Sequence, residues 1–159
     1  MKNTSLITSF SHAVRGFVDA FKRERNLRIH IAVADLITPF AAVYGIDRIG
    51  FAVLVVAITV VISAELFNSA VEKAVDTATK EYRSDAKHSK DFAAAATLVC
   101  AVGAVLCGVC LFGDAAKIAA ALIKIFTDVR WLSLFAVIFT ADIFIVFYPF
   151  FMRKHIKRP

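Results

Sequence analysis

Residues 65–76 read Glu65-Leu66-Phe67-Asn68-Ser69-Ala70-Val71-Glu72-Lys73-Ala74-Val75-Asp76, and they continue an apolar run that extends from Phe51 to Ala64. Glu65, Asn68, Glu72 and Asp76 follow one another at steps of three, four and four residues, so on a helix they share one face. We call these four residues the polar stripe. Ionisable groups at the edge of a membrane are costly and usually functional. Clustered carboxylates suit a hard divalent cation and a general base.

The composition indicates an integral membrane protein. The chain has 159 residues, 59% of them hydrophobic, with 15 phenylalanines, far above the apolar share of a soluble domain. Four segments approach the roughly 20 apolar residues that cross a bilayer. They are Ile29–Ile46, Ile49–Ser69, Phe92–Phe112 and Trp131–Met152. We therefore expect an all-α fold with four transmembrane helices and, because the N-terminal segment is polar, no cleavable signal peptide.

The basic residues predict the orientation. Fifteen of the 19 lysines and arginines fall in segment 1–28, in loop 73–91 and in the C-terminal tail. By the positive-inside rule, both termini and that loop are cytoplasmic, so the polar stripe faces the compartment that holds nucleotide and magnesium. The net charge of +6 is better explained by anionic lipid headgroups than by nucleic acid, because the basic residues flank apolar spans.

Two further patterns bear on the fold. Residues 9–28 are predicted to form an amphipathic helix on the membrane surface, because Phe10, Val14, Phe17 and Phe21 recur at helical spacing. The alternative is a soluble helix that packs on a partner. The three cysteines all fall within the third span, where a thiol behaves as a small hydrophobe, so we expect no disulfide.

Charged residues on the cytoplasmic side form four groups in the sequence. These are Glu24 within Lys22–His30, the polar stripe, Glu81-Tyr82-Arg83, and Lys90-Asp91. Carboxylates with lysine and arginine suit a magnesium-bound nucleoside triphosphate, since magnesium takes one or two carboxylates together with phosphate oxygens. The chain has no glycine-rich phosphate loop. Side chains and metal would therefore hold the phosphates.

These blocks resemble the bacterial integral-membrane diacylglycerol kinase and undecaprenol kinase family. The resemblance rests on Glu24–Arg28, Glu65–Asp76, Glu81-Tyr82 and Lys90-Asp91 and on the spacing between them, over about residues 9–113. The run Glu-Arg-Asn-Leu-Arg-Ile-His at positions 24–30 is more similar to the undecaprenol kinases of Gram-positive bacteria. The resemblance implies a homotrimer of three-span protomers with a surface helix, located in the bacterial cytoplasmic membrane, with active sites between protomers.

The resemblance also implies individual roles. Glu65 matches the general base that takes the proton from the lipid hydroxyl, and Glu24 and Glu72 match ligands of the nucleotide-bound Mg²⁺. Asn68 and Asp76 match supporting polar residues. The positions implied in ATP binding are His12, Glu24, Glu72, Glu81, Tyr82, Arg83, Lys90 and Asp91. His12 stands where members usually carry a tyrosine, and a solvent-facing histidine is its alternative interpretation.

The chain departs from the family pattern at its C-terminal end. Residues 1–113 are predicted to form the lipid kinase domain with its surface helix, and residues 114–159 an extension with a fourth span. Neither the role of this span nor those of Asp35 and Asp142 within the spans can be read from the sequence.

The sequence supports an ATP-dependent kinase of a membrane lipid alcohol, with undecaprenol preferred and diacylglycerol as the alternative. A small membrane carrier is the competing class, but a carrier should place acids along a path through the bilayer, whereas most acids here fall at one face. For individual residues, a solvated surface charge at Glu24, an ordinary charged loop at 81–87 and structural salt bridges at Glu65 and Glu72 remain alternatives.

Overall fold

The computed structural model describes residues 5–79, 81 and 83–153, with side chains placed through Phe147. In this part of the chain all regular structure is helical. The helices are α1 (Leu6–Arg23), α2 (Arg25–Tyr44), α3 (Arg48–Ala78), α4 (Ser84–Leu111), α5 (Ala115–Thr127) and α6 (Val129–Arg153). Four of them, α2, α3, α4 and α6, are long and apolar enough to cross a membrane. The predicted all-α membrane fold with four spans is confirmed.

The surface helix is shorter than the sequence predicted. α1 begins after Ser5, whose hydroxyl accepts a hydrogen bond from the Thr8 amide, and it ends at Arg23 rather than continuing to Arg28. Glu24 has extended backbone angles, φ −93° and ψ 115°, so it separates α1 from α2. The predicted amphipathic character is present, because Phe10 and Val14 are exposed on α1.

α3 is the longest helix, and it carries the polar stripe beyond the apolar span. Its start is capped by Asp47, whose Oδ1 accepts the Gly50 amide at 2.7 Å. Thirty-one residues make a helix of about 46 Å, longer than the roughly 30 Å hydrocarbon core of a bilayer. The last turns of α3 therefore project out of the membrane and carry Glu72 and Asp76 with them.

α3 is also the centre of the helical packing. Its most extensive interface is with α4, and α2 packs against it separately. The end of α4 packs closely where α3 begins, since a Cβ at Gly50 would lie 3.2 Å from the side-chain atom Leu111 Cδ2. Within the described residues α4 packs on no other helix to a comparable extent. α2 and α4 therefore stand on either side of α3 with a gap between them.

α5 and α6 form an extension that packs on α2. Val43 of α2 is buried together with Ala121 and Ile125 of α5, and Phe40, Tyr44, Trp131 and Phe135 surround them. The Tyr44 hydroxyl accepts a hydrogen bond from the Asp114 amide at 3.3 Å. α5 was not anticipated from the sequence, which assigned only one further span to this region. The four-residue step from Ala121 to Ile125 is the pattern that would have indicated it.

α6 runs back along α2 in the opposite direction. Trp131, near its start, packs at the C-terminal end of α2, and Asp142, further along, lies in the electrostatic neighbourhood of Asp35 in the middle of α2. Asp142 is buried, and its Oδ2 has no hydrogen-bond partner among the described residues. The sequence left both aspartates without a role, and the structure brings them together.

Candidate functional site

The α1–α2 junction places Glu24 against the end of α3 that projects from the bilayer. Arg28, one turn into α2, is only 4% exposed. Its Nη1 donates to the carbonyl oxygens of Phe21 at 2.9 Å and Lys22 at 3.1 Å. These carbonyls lie in the last turn of α1, where no intrahelical donor is available. Arg28 therefore holds the junction in one conformation and fixes the position of Glu24.

Glu65 is the most deeply buried carboxylic acid in the part of the chain that the structure describes, at 3% exposure. Asn26 and His30 of α2, together with the like charges of Glu24 and Glu72, are the polar groups in its electrostatic neighbourhood. The predicted base and both predicted metal ligands therefore belong to one region of a single protomer.

The remaining contacts around Glu65 link the predicted residues to one another. Asn68 Nδ2 lies 3.4 Å from Glu72 Oε1, and Asn68 Oδ1 is buried without a partner among the described residues. Lys73 Nζ lies 3.6 Å from Glu24 Oε1. Glu24, Asn26, His30, Glu65, Asn68, Glu72 and Lys73 are called the Glu65 cluster below.

A neighbouring ion pair on α1 lies outside the cluster. Arg23 Nε donates to Asp19 Oδ1 at 2.8 Å, and this bond, helped by the positive charge of Lys73, lowers the pKa of the exposed Asp19 carboxyl. Since Arg23 satisfies Asp19, the Glu24 carboxylate is the acid of this region that is directed at α3.

A second group of predicted residues lies where α3 meets α4. Asp76 accepts a hydrogen bond from the Lys90 ammonium. Together with Glu81, Arg83 and Lys87 they line an open hollow of about 600 Å³, which we call the charged hollow. Glu72 and Asp76 are one helical turn apart on α3, so the charged hollow adjoins the Glu65 cluster along the polar stripe.

Three predicted nucleotide positions are not joined to either group within the described protomer. His12 and Asp91 are exposed on α1 and α4, and no contact places them in the Glu65 cluster or among the residues that line the charged hollow. Tyr82 lies outside the described residues. The predictions for these positions stay predictions.

An apolar groove leads from the Glu65 cluster into the bilayer. It occupies the gap between α2 and α4, has a volume of about 420 Å³ and lies over Leu54, Ile58 and Val61 of α3. Phe112 lines one end and His30 the other. Among the described residues that line it, His30 is the only titratable one. A hydrocarbon chain in this groove would carry its polar end toward the level of His30 and Val61, one helical turn before Glu65.

The carboxylates of Glu24 and Glu72 suit a magnesium ion that is also bound by a nucleotide better than a metal ion held by protein ligands alone. In the described ranges, no three His, Cys, Asp or Glu side chains are grouped as a metal site. Glu24 and Glu72 offer two carboxylates near one point, which is the number that magnesium takes when phosphate oxygens supply the rest. The cation that now faces Glu24 is the Lys73 ammonium.

Asn26, Arg28, His30 and Lys73 belong to this site, although no role had been predicted for them. Asn26 and His30 are one turn apart and thus share a face of α2. Helical spacing counted from Glu24 could have suggested that face. The buried position of Arg28 could not be foreseen, because it depends on the break in the helix at Glu24.

Comparison with known proteins bears on this arrangement. The family model described as prokaryotic diacylglycerol kinase matches residues 11–112, which include most of α1, all of α2 to α4 and every residue of the two groups above. The chain belongs to the prokaryotic diacylglycerol kinase family. It is thus a multi-pass membrane protein of a lipid kinase family, and the resemblance seen in the sequence is confirmed.

Three curated relatives support the family assignment. The chain is 38% identical over 108 residues to a diacylglycerol kinase of Synechocystis, covering 67% of this chain but 62% of the relative. It is 34% identical over 104 residues to the undecaprenol kinase of Bacillus subtilis, covering 65% of this chain and 85% of the relative. A diacylglycerol kinase of Haemophilus influenzae is 31% identical over 111 residues, 69% of this chain and 94% of the relative. Among these relatives, two are named for diacylglycerol and one for undecaprenol.

Proposed function

We propose that this protein transfers the γ-phosphoryl group of ATP to the hydroxyl of a membrane lipid alcohol, with undecaprenol as the preferred substrate. The observation that carries the proposal is the position of Glu65. It is a buried carboxylate one helical turn beyond Val61, which lines the apolar groove, and two further carboxylates lie in its electrostatic neighbourhood. Phosphoryl transfer needs positioning and charge neutralisation, and the Glu65 cluster offers groups for both.

In the proposed reaction, Glu65 acts on the lipid hydroxyl. The carboxylate removes the hydroxyl proton as the oxygen forms a bond to the γ-phosphorus, and the bond from that phosphorus to the β,γ-bridging oxygen breaks as ADP leaves. Asn68 bonds Glu72 and stands one turn from Glu65, so it orients the acids of the stripe. A positioned base contributes about 10²- to 10⁴-fold to the rate.

Glu24 and Glu72 are proposed to hold the magnesium that accompanies the nucleotide. When bound, this ion neutralises the charge of the transferring phosphates. Lys90, Arg83, Glu81, Asp91 and Tyr82 are proposed to bind ATP, because Lys90 and Arg83 line the charged hollow beside Glu72 and cationic side chains bind phosphate oxygens. Asp76 is proposed to keep Lys90 in place.

The choice of undecaprenol rests on the run at positions 24–30, which resembles undecaprenol kinases and places Asn26 and His30 in the neighbourhood of Glu65. Diacylglycerol is the second candidate, since two of the three relatives above carry that name.

The protein is further proposed to act as a homotrimer with both termini in the cytoplasm. His12 and Asp91 lie apart from both groups of the protomer, which supports contributions from a neighbouring chain. Large apolar side chains on α3 and α4, such as Val56, Val102 and Val105, are exposed in the single protomer. The basic residues at the termini and in loop 73–91 support the orientation.

A direct assay tests the function. The purified protein in one detergent receives Mg-ATP and either a polyprenol or diacylglycerol, and the phosphorylated lipid is quantified. We expect phosphorylation of both, with a higher kcat/KM for the polyprenol. A higher value for diacylglycerol would replace the substrate assignment. If the protein remains folded and oligomeric but forms no phosphorylated product from either lipid, the proposed kinase activity is overturned.

A further inference from the structure

α5 is too short to cross a bilayer, although it connects two helices that are long enough to do so. Its 13 residues make a helix of about 20 Å, shorter than the roughly 30 Å hydrocarbon core. It follows α4 and precedes α6, and both are candidate spans. Since α4 leads away from the Glu65 cluster and α6 returns, α5 begins and ends at the opposite face of the membrane.

The contacts of α5 place it at the level where α2 leaves the bilayer. Ala121 and Ile125 of α5 are buried together with Val43, in the last turn of α2. Tyr44, the last residue of α2, and Trp131, near the start of α6, pack against the same cluster. Tyrosine and tryptophan are enriched where membrane meets water. α5 therefore lies in the interface, with one side against the protein.

The two flanks of α5 beside this contact have opposite chemical character. Successive residues of a helix are about 100° apart, so Phe126 and Lys124, which follow and precede the buried Ile125, lie on opposite flanks. Leu122, four residues before Phe126, is on the apolar flank, and both side chains are exposed. Lys117, seven residues before Lys124, is on the other flank. α5 thus directs apolar side chains one way and ammonium groups the other.

The acids at this face of the protein already have partners, whereas the two lysines of α5 form no ion pair. Three aspartates each accept a hydrogen bond from a backbone amide, and one of them also pairs with Arg130; they are Asp47, Asp114 and Asp128. Within the described residues neither Lys117 nor Lys124 forms a salt bridge. Lys117 Nζ lies 5.9 Å from the centroid of the Tyr44 ring. Both ammonium groups can therefore bind an anion outside the chain.

We propose that α5 is an interfacial anchor that binds the headgroups of anionic lipids at the membrane face opposite the Glu65 cluster. Leu122 and Phe126 enter the acyl region, and Lys117 and Lys124 contact lipid phosphate groups. Basic amphipathic helices bind anionic membranes in this way, and the long stem of lysine lets its ammonium reach the headgroups. A second copy of the chain could cover the apolar flank but would leave the lysines without an anion, so lipid suits both flanks.

The anchor is independent of the proposed phosphoryl transfer. α5 follows the residues that the family model matches, and it contributes no side chain to the Glu65 cluster or to the charged hollow. Its test therefore measures lipid binding rather than kinase activity, and failure of one proposal leaves the other standing.

The headgroup preference is tested with Trp131, the single tryptophan of the chain, which packs against α5. The protein is reconstituted in vesicles with increasing fractions of brominated phosphatidylglycerol or brominated phosphatidylcholine, and quenching of Trp131 gives the relative binding of the two lipids. We expect the anionic lipid to bind about fivefold more strongly, the effect of roughly one lysine near a charged surface. High ionic strength should reduce this preference.

Two double variants assign the preference to the lysines. Lys117→Gln with Lys124→Gln removes both charges, so the two lipids should then bind equally. Lys117→Arg with Lys124→Arg keeps both charges and is the matched control, which should retain the preference of the parent. Equal binding of the two lipids by the parent, or a preference that survives in the glutamine variant, would overturn the proposal.

A second pair of variants tests the direction of each flank. Phe126→Trp places a reporter on the apolar flank, and Ala120→Trp places one four residues before Lys124, on the lysine flank. After subtraction of the Trp131 signal, brominated acyl chains should quench F126W and dissolved acrylamide should quench A120W. Access of acrylamide to F126W would overturn the anchor. So would protection of F126W from both quenchers, because protein rather than lipid would then cover this flank.

Discussion

Lys73 Nζ lies 3.6 Å from Glu24 Oε1, and this ion pair connects the α1–α2 junction to the projecting end of α3. A lysine ammonium therefore faces a carboxylate that is proposed to bind magnesium. Both side chains are partly exposed, so the pair contributes little to stability and can be separated at low cost. If a divalent ion replaced this ammonium at Glu24, binding of the nucleotide would be coupled to the conformation of the α1–α2 junction.

The assignment of Glu24 and Glu72 as magnesium ligands predicts that substitution of either residue has the same two effects. Glu24→Gln and Glu72→Gln should each raise the magnesium concentration needed for half-maximal activity and weaken Mg-ATP binding, because each removes one charged ligand. Magnesium titration of activity and calorimetry of Mg-ATP binding measure the two effects. Asp19→Asn is the control, since Arg23 already pairs with that exposed acid. Unchanged nucleotide affinity in both glutamine variants would contradict the assignment.

The base assignment predicts a loss of turnover without a loss of binding. Glu65→Gln keeps the shape of the side chain but removes basicity, so kcat should fall by about 10²- to 10⁴-fold. Mg-ATP affinity should stay near the parental value, because Glu65 is not proposed as a ligand. Single-turnover phosphorylation of the lipid is the measurement. A rate within a few-fold of the parent would exclude the role.

The hydrogen bonds of Arg28 predict that its replacement destabilises the α1–α2 junction. Arg28→Met keeps the apolar stem but leaves the Phe21 and Lys22 carbonyls without their donor. Since hydrogen bonds with a charged partner contribute about 1.5–3 kcal/mol, we expect lower thermal stability in detergent and faster proteolysis between α1 and α2. Arg25→Met, at an exposed position of the same junction, should behave like the parent. Equal stability of R28M and R25M would show that the hydrogen bonds of Arg28 are not needed to hold the junction.

Mixed assemblies distinguish which residues work within a protomer. Glu24 and Glu65 meet in one chain, so co-assembly of E24Q and E65Q protomers should restore no activity. Asp91 is apart from Glu65 in the protomer, and if a neighbour supplies it, co-assembly of D91A with E65Q should restore a measurable fraction. Each variant assembled alone provides the background. Recovery in the first mixture, or none in the second, would contradict this division.

The division into domains predicts the result of a truncation. A chain that ends at Gly113 keeps α1 to α4, both charged groups and the apolar groove, so it should insert, assemble and phosphorylate lipid. Its thermal stability should fall, because Val43 and Tyr44 lose the apolar side chains of α5 and α6 and with them buried apolar area. Lipid kinase activity and thermal inactivation are compared with the full chain. A truncated protein that assembles normally yet phosphorylates no lipid would refute the proposal.

The sequence was sufficient to predict the membrane helices and the grouping of the acids. Apolar length alone identified α2, α3, α4 and α6, since nothing but a span requires some 20 apolar residues. Steps of three and four placed Glu65, Asn68 and Glu72 on one face, and the structure has them together. Such predictions succeed because they depend on a single helix.

Contacts between helices could not be predicted from the sequence. The end of α1 at Arg23 depends on the Arg28 guanidinium, whose partners lie six and seven residues earlier. The position of His30 beside Glu65 depends on how α2 rotates against α3. Likewise Asp35 and Asp142 are 107 positions apart in the numbering, so only the packing of α6 on α2 brings them together.

The extension also limits how copies of this chain can meet. In the described part of the chain, one flank of α2 is covered by α5 and α6 and another by α3, whereas α4 has an extensive interface with α3 alone. If protomers assembled into a ring, they would have to meet through surfaces other than the flank of α2 that α5 and α6 cover, which leaves α3 and α4. Lipid would then enter the apolar groove from the side of α4, away from the fourth span. The added helix would thereby restrict the direction of substrate entry while contributing no side chain to the Glu65 cluster or the charged hollow.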